Sequence, residues 1–265
     1  MIHPHTYIHP NAKLATNVKV DPFSVIHHNV EIGEGTWVGS NVTIMEGARI
    51  GKNCRIFPGA VISAIPQDLK YEGETTQVEI GDNTTIREFV TVNRGSKDRW
   101  VTKVGSNCLL MAYSHVAHDC IIGNNCIISN STQIAGHVVM GDYAILGGMC
   151  GVHQFVQIGQ HAFVAGGSVV FKDVPPYTKA GRTPLSYAGV NSVGLKRRGF
   201  SLERINQILD IYRIIYNKGM NTSQALNYIE EELAATDERD EIITFIRESG
   251  RGIIKRFVKG GADDE

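Results

Sequence analysis

The chain has 265 residues, long enough to bury a substantial core as one long domain or two modest ones. Its 26 Lys and Arg nearly balance 27 Asp and Glu, for a net charge of -1 and a pI near 6.8, so there is no global basic field to hold nucleic acid or an anionic membrane. Hydrophobic content of 42% with 20% charged residues excludes overall disorder, and the unusual number is 28 glycines without the strict period of collagen.

The first residues, MIHPHTYIHPNAKL, have neither a basic region nor a continuous apolar stretch, so no secretory signal is expected. No segment reaches the roughly 18 consecutive apolar residues of a membrane span, and no stable membrane insertion is expected. Five cysteines without a C-x-x-C pair suit reduced thiols in a cytoplasmic protein.

Every sixth residue from Ile2 to Val170 is apolar at 26 of 29 positions, the exceptions being Asp68, Glu74 and Asp98. Four residues after the apolar site stands a small or β-branched residue such as Ser24, Thr36 or Ala48, and all five cysteines (Cys54, Cys108, Cys120, Cys126, Cys150) occupy this slot. Gly often follows the apolar site directly, as at Gly33, Gly51 and Gly105, and Asn recurs at the third place, as at Asn53 and Asn107. Both residues tolerate corner conformations. A period of six fits neither an amphipathic helix nor simple strand alternation. It fits short strands that turn a corner every six residues, three to a coil, with residues 18 apart stacked on adjacent coils about 4.8 Å away. The cysteines then read as small core residues.

Two stretches, near 63–79 and 93–103, keep the phase but lose the pattern and read as loops thrown out from the solenoid. After Val170, FKDVPPYTKAGRTPLSYAGVN reads as a linker. Ser201 is an expected N-cap for a helix through LERINQILDIYRIIYN, stopped at Gly219, with further helices expected over 222–233 and 241–248. GGADDE reads as a frayed tail. The expected architecture is mainly β: a parallel β-helix of hexapeptide repeats over 1–190, followed by a helical domain over 191–265.

His3, His5 and His9 resemble a metal-binding tract, but the repeat places His3 and His9 on outer corners, with no closed ligand geometry. The segment MAYSHVAHDC is more informative. With Val116 pointing inward, His115 and His118 lie on the surface of one coil, and His118 stacks near Gly136 and His137 on the next, with His153 one coil further. A surface crowded with His, Gly and Asp119 has no packing purpose. Three readings compete: a His general base for acyl transfer, with the Gly136 N–H free for an oxyanion; three His on a catalytic metal, as in hexapeptide carbonic anhydrases; or a scaffold with inert surface histidines. The loop residues Gln67, Asp68 and Lys70 could build a binding wall. Lys196, Arg197 and Arg198 precede an expected helix start, where a diphosphate would sit well.

The stretches PQDLKYEGE, VEIGDNTTIRE, HVAHDCIIGN, IAGHV, GGMCGVHQF, DVPPYT and GLKRRGF, in this order, resemble the UDP-N-acetylglucosamine acyltransferase family over essentially the full length. The resemblance implies a left-handed coil and a homotrimer with active sites between prisms. It implies transfer of a 3-hydroxyacyl group, carried on the phosphopantetheine of acyl carrier protein, to the sugar 3-hydroxyl of UDP-N-acetylglucosamine, the first step of lipid A synthesis, with no cofactor or metal. His118 is then the general base, Asp119 its partner and Gly136 the oxyanion donor. The implied cleft residues are His115, His137, His153 and Gln154. Asp68 and Lys70 are implied to contact the sugar nucleotide, Asn191, Arg197 and Arg198 its nucleotide and phosphates, and Gly148 and Gly166 the acyl chain. Asn93 stands where the family often has His, and Val193 where well-known members carry Glu. Some members make an amide on a 3-amino sugar, which stays open as the acceptor here. The sister N-acyltransferase of the pathway usually has an extra N-terminal domain, and repeats starting at Ile2 argue against it.

Overall fold

A computed structural model describes residues 1–257; the tail GGADDE lies outside the described residues. Strands of mostly two residues form three sheets of nine, eight and ten strands, visited in turn by the chain and parallel throughout except for the last strand of the third. They are the three faces of a prism, and the expected register holds: Val25 pairs with Thr43, Leu109 with Ile127, and His115 with Gln133, each 18 residues apart. The inward residues Ile26, Ile44, Ile62, Ile86, Leu110, Ile128, Ile134 and Leu146 are fully buried in one continuous core. Each stacks on its counterpart above and below, so the core is a column that the period of six alone specifies.

The two loops obey the same rule. Val61 pairs with Thr91, thirty residues on, and Val92 with Val116, twenty-four on, so the loops add twelve and six residues, whole multiples of the hexad. They are shorter than the lost pattern suggests, because strand continues through Val61–Ala64, Gln77–Ile80, Thr91–Asn93 and Val101–Val104. The polar exceptions Asp68, Glu74 and Asp98 lie outside these strands.

The cysteine slot has a physical purpose beyond small size. The thiols of Cys54, Cys108, Cys120, Cys126 and Cys150 contact the carbonyls of Gly81, Gly123, Ala135, Gly141 and Ala165 at 3.1–3.2 Å, and the hydroxyls of Ser24, Thr36 and Thr132 donate to equivalent carbonyls at 2.7–2.9 Å. Each of these hydroxyls and thiols meets a buried carbonyl on the next coil. The glycine and asparagine slots divide the corner between them. The left-handed residue is the Asn, with φ of 52° at Asn53 and 57° at Asn107. Gly105 instead is required by stacking, since a Cβ there would lie 2.5 Å from the Gly123 carbonyl oxygen. The expectation that glycine supplies the corner conformation is thus corrected at this slot.

The stretch that reads as a linker is ordered strand: Thr178–Gly181 and Ser186–Val190 form an antiparallel hairpin on the third sheet. Four helices follow: α1 (Ser192–Arg197), α2 (Leu202–Asn217), α3 (Thr222–Glu232) and α4 (Asp237–Glu248). Ser201 caps α2 as expected, accepting from the Arg204 N–H. Asn221 and Gln224 form a capping box on α3. The third expected helix starts four residues earlier, at Asp237 behind the Thr236 cap, because its first turn is acidic and favoured by the helix dipole rather than apolar. Helix α1 has no counterpart among the expected elements. It places Lys196 and Arg197 in a last turn, the opposite end from the one at which a diphosphate meets a helix dipole. The helices share a core of Ile205, Ile208, Tyr212, Leu226, Ile229 and Ile242 with Tyr177 and Val190. Ile254 returns to the solenoid core. Among the described residues no helix is long and apolar enough to cross a membrane.

Candidate active site

Where a first-face strand turns toward the second face, residues two and three places after the inward residue line an edge of the prism. His118 and Asp119 occupy these places after Val116, and Gly136 and His137 after Ile134. The His118 Nδ1 lies 2.8 Å from Asp119 Oδ2. An ionised carboxylate only accepts, so the neutral imidazole carries its proton on Nδ1, leaving Nε2 as a base. Asp119 is fully buried and held in the left-handed conformation, φ 59°. Burial by itself would raise its carboxyl, but hydrogen bonds from His118, from the Ser96 hydroxyl and N–H, and from the Arg99 N–H outweigh it and hold the group at about 2.

His118 lies flat over a glycine. A Cβ on Gly136 would meet the His118 Cε1 and Nε2 at 2.7 Å. The bare position therefore admits the imidazole, in addition to leaving an N–H with no protein acceptor among the described residues. His137 stands edge-on to His118 with ring centroids 5.0 Å apart and stacks on Phe155 at 4.5 Å. Its Nδ1 is 3.1 Å from Asp98 Oδ2 at an angle that makes no hydrogen bond. His115 is held by the Thr91 hydroxyl at 2.7 Å, and burial, followed by the nearby His118, lowers its pKa.

A cleft of about 430 Å³ opens at this edge. His115, His118, Gly136, His153 and Gln154 line it, together with Gln67 from the first loop and the apolar Val169 and Phe171. Asp68 and Lys70 are not on its wall: Asp68 Oδ1 accepts from the Lys70 N–H within the loop, and Lys70 is exposed. Asn93 is buried with its Oδ1 unpartnered, and Val193 is exposed on α1. Among the described residues His118, Asp119 and His137 have three potential metal-ligand atoms within 4.8 Å of one another. Asp119 Oδ2 already accepts from the His118 ring and from the hydroxyl and N–H of Ser96, so the trio is built as a hydrogen-bonded dyad with a neighbour rather than as three free ligands. The His3 and His9 rings accept from the His5 and Asn11 N–H groups, in local turns.

The other implied site residues lie on different edges. Asn191 is buried near the second edge, where its Oδ1 accepts from the Gly194 N–H and its Nδ2 donates to the His161 carbonyl. Arg198 lies 5.2 Å over the Tyr143 ring and donates to the Tyr143 carbonyl, while Arg197 is exposed. Gly148 and Gly166 stack at the third edge, and a Cβ on Gly166 would meet the Gly148 carbonyl oxygen at 3.0 Å.

His161, which no sequence motif singles out, is buried between Tyr143 and Tyr177 with centroids at 4.8 and 5.6 Å. Burial, then the charge of Arg198, lowers it from 6.5 to about 4. Unfolded chains bind a proton here as pH falls through about 6.5 and the folded protein does not until about 4, so stability declines across that interval. Thermal unfolding of His161→Phe should lose less of its midpoint between pH 6.5 and 4 than the parent protein does; equal losses would show that this site contributes nothing.

Comparison with known proteins settles the family. Residues 173–254 match the second domain of the Udp N-acetylglucosamine O-acyltransferase family model, and 29–64 and 102–136 match the bacterial transferase hexapeptide model. The acyl-[acyl-carrier-protein]–UDP-N-acetylglucosamine O-acyltransferase of Sulfurihydrogenibium is 58% identical over 95% of this chain and 93% of its own. That of Chlorobaculum parvum is 53% identical over 97% of both. The chain belongs to the UDP-N-acetylglucosamine O-acyltransferase family. A crystal structure of the acyltransferase from Bacteroides fragilis superposes on it with a TM-score of 0.94 at 50% identity, covering 96% of this chain and all of that one. The acyltransferase fold is a left-handed parallel β-helix with a helical C-terminal part. Ser96 and Arg99 are residues of this edge that the sequence motifs do not nominate as site residues, since a loop outside the repeat has no register to predict its landing place, whereas Gln67, expected on a binding wall, does line the cleft.

Proposed function

We propose that this edge is the catalytic half of an acyl-transfer site and that His118 is its general base. The chain is an acyl-[acyl-carrier-protein]–UDP-N-acetylglucosamine O-acyltransferase. The observation that carries the mechanism is the His118 ring, fixed through Nδ1 by Asp119 and lying over Gly136 at the mouth of the cleft. The His118 Nε2 removes the proton of the sugar 3-hydroxyl as its oxygen attacks the thioester carbonyl. The Gly136 N–H stabilises the tetrahedral oxyanion. Collapse breaks the C–S bond, and the phosphopantetheine thiolate of acyl carrier protein takes the proton back from His118. The transferred group is a 3-hydroxyacyl chain, the reaction opens lipid A synthesis, and no step requires a cofactor or a metal. The solenoid, 1–190, carries the chemistry and the helical domain that follows, as far as residue 257, closes its end.

The site is completed by neighbouring copies in a homotrimer. Asn191 and Arg198, and Gly148 and Gly166, belong to other edges of the prism than His118, so one chain cannot offer them all to one substrate. The first face supports this, since its outward row of Tyr7, Val25, Thr43, Val61, Thr91, His115, Gln133, Gly151 and Val169 carries no Lys, Arg, Asp or Glu. The second face, with Lys13, Glu31, Arg49, Glu79 and Lys103, is built for water. Phe23, Phe89, Tyr113 and Met149, each more than half exposed on the third edge, extend the apolar surface. In this arrangement Asp68, Lys70, Arg197 and Arg198 reach the sugar nucleotide. Asn191 acts there through the helix it caps. Five reduced, buried thiols fit a cytoplasmic location.

The test is an assay of purified protein with 3-hydroxyacyl-carrier thioesters of several lengths and both sugar nucleotides. Thiol release with an alkali-labile ester on UDP-N-acetylglucosamine is expected. Exclusive turnover of the 3-amino sugar, giving a stable amide, would move the assignment to the amide-forming branch of the family, and no thioester consumption would leave a scaffold.

A further inference from the structure

The loop 94–100 crosses the first edge and ends on the buried carboxylate rather than on the cleft. The Ser96 hydroxyl donates to Asp119 Oδ2 at 2.6 Å, the same oxygen that holds His118 at 2.8 Å. The Ser96 N–H lies 3.0 and 3.2 Å from the two carboxylate oxygens, and the Arg99 N–H lies 3.2 Å from Oδ1. Thr102 Oγ1 accepts from the Asp119 N–H at 2.8 Å, and the Arg99 guanidinium donates to the Asp119 carbonyl at 3.2 Å. Ser96 is buried and does not line the cleft. Its hydroxyl is the one neutral side-chain donor on a carboxylate whose other side-chain donor is the base itself.

From this geometry we propose that Ser96 is a positioning residue for the acyl-transfer reaction: its hydroxyl orients Asp119 and moderates the hold of the carboxylate on His118. The inference rests on the general-base reading of His118. The physical argument is competition. Two side-chain donors share Oδ2, and negative charge drawn toward the Ser96 hydroxyl proton is unavailable to an imidazolium. Without the hydroxyl, Asp119 would hold protonated His118 more strongly. The other charged and titratable groups around the dyad are His115 on its own strand, His137 with Nε2 4.0 Å from Asp119 Oδ2, Asp98 beside His137, and Arg99. None of these donates to the carboxylate through its side chain.

The experiment is the pH dependence of kcat and KM for Ser96→Ala and Ser96→Thr, with His118→Ala and Asp119→Asn assayed alongside. Ser96→Ala should lower kcat about tenfold with little change in KM, the scale of one hydrogen bond to a charged group. It should also move the acid limb of the kcat profile upward by about half a pH unit or more. Ser96→Thr, which keeps the hydroxyl, should restore both. The limb position does not depend on how much of a sample is folded, so it stays readable even where Ser96→Ala is destabilised. Adding Ser96→Ala to Asp119→Asn should move the limb no further, because the effect passes through the carboxylate. An unmoved limb in Ser96→Ala, or a Thr variant no better than Ala, overturns the proposal. Retained turnover in His118→Ala instead overturns the general-base reading beneath it.

Discussion

His118→Ala should lose acyl transfer by about 10²- to 10⁴-fold in kcat, the usual contribution of a positioned general base, while the assembly stays intact. The expectation of a silent structural effect follows from where the side chain sits. His118 belongs to a corner and not to the inward column of Val116, Ile134 and Val152, so its removal leaves the core untouched. Asp119 keeps its bonds from the Ser96 hydroxyl and N–H and from the Arg99 N–H, so no carboxylate is stranded. Thiol release per active site, read beside light scattering, separates the two quantities. Turnover within tenfold of the parent protein would remove His118 from the mechanism.

Gly136→Ala should be nearly as damaging although it adds a single methyl group. The new Cβ would fall 2.7 Å from both Cε1 and Nε2 of His118, closer than such atoms approach. The imidazole cannot yield without breaking its 2.8 Å bond to Asp119 or moving against His137, whose ring centroid is 5.0 Å away. The backbone itself tolerates the change, because the left-handed residue of this corner is His137, φ 63°, and not Gly136. A fall in kcat of about 10² or more is expected, comparable to losing an oxyanion-hole donor, with an unfolding midpoint close to that of the parent protein. Activity within threefold would show that the ring finds another productive position. A large fall in midpoint would show that Gly136 serves packing before chemistry.

Both variants probe a corner that the repeat makes legible. The hexad fixes which residues enter the prism, and the 18-residue coil then places His118 beside Gly136 and His137 from sequence distance alone. This works because inward and outward positions alternate along strands paired without interruption, so sequence distance converts directly into spatial distance. The same code locates the cysteines and marks 63–79 and 93–103 as departures. It fails where the rule changes. The hairpin Thr178–Gly181 with Ser186–Val190 is antiparallel and looks like linker in the sequence, and α1 is too short to show a helical period.

What the sequence determined by itself is therefore the solenoid, its core and the edge that carries His118, all consequences of a local period that resumes in phase after each loop. Only the tertiary structure decided what holds His118 and Asp119 in place. Ser96 and Arg99 reach Asp119 largely through backbone N–H groups, which every residue but proline owns and no motif announces. Tertiary structure likewise decided that Asn191 caps a helix and that Lys196 and Arg197 sit at a helix end and not its start. Loops and caps are fixed by where a chain lands on a surface already folded, and that landing depends on contacts far apart in sequence.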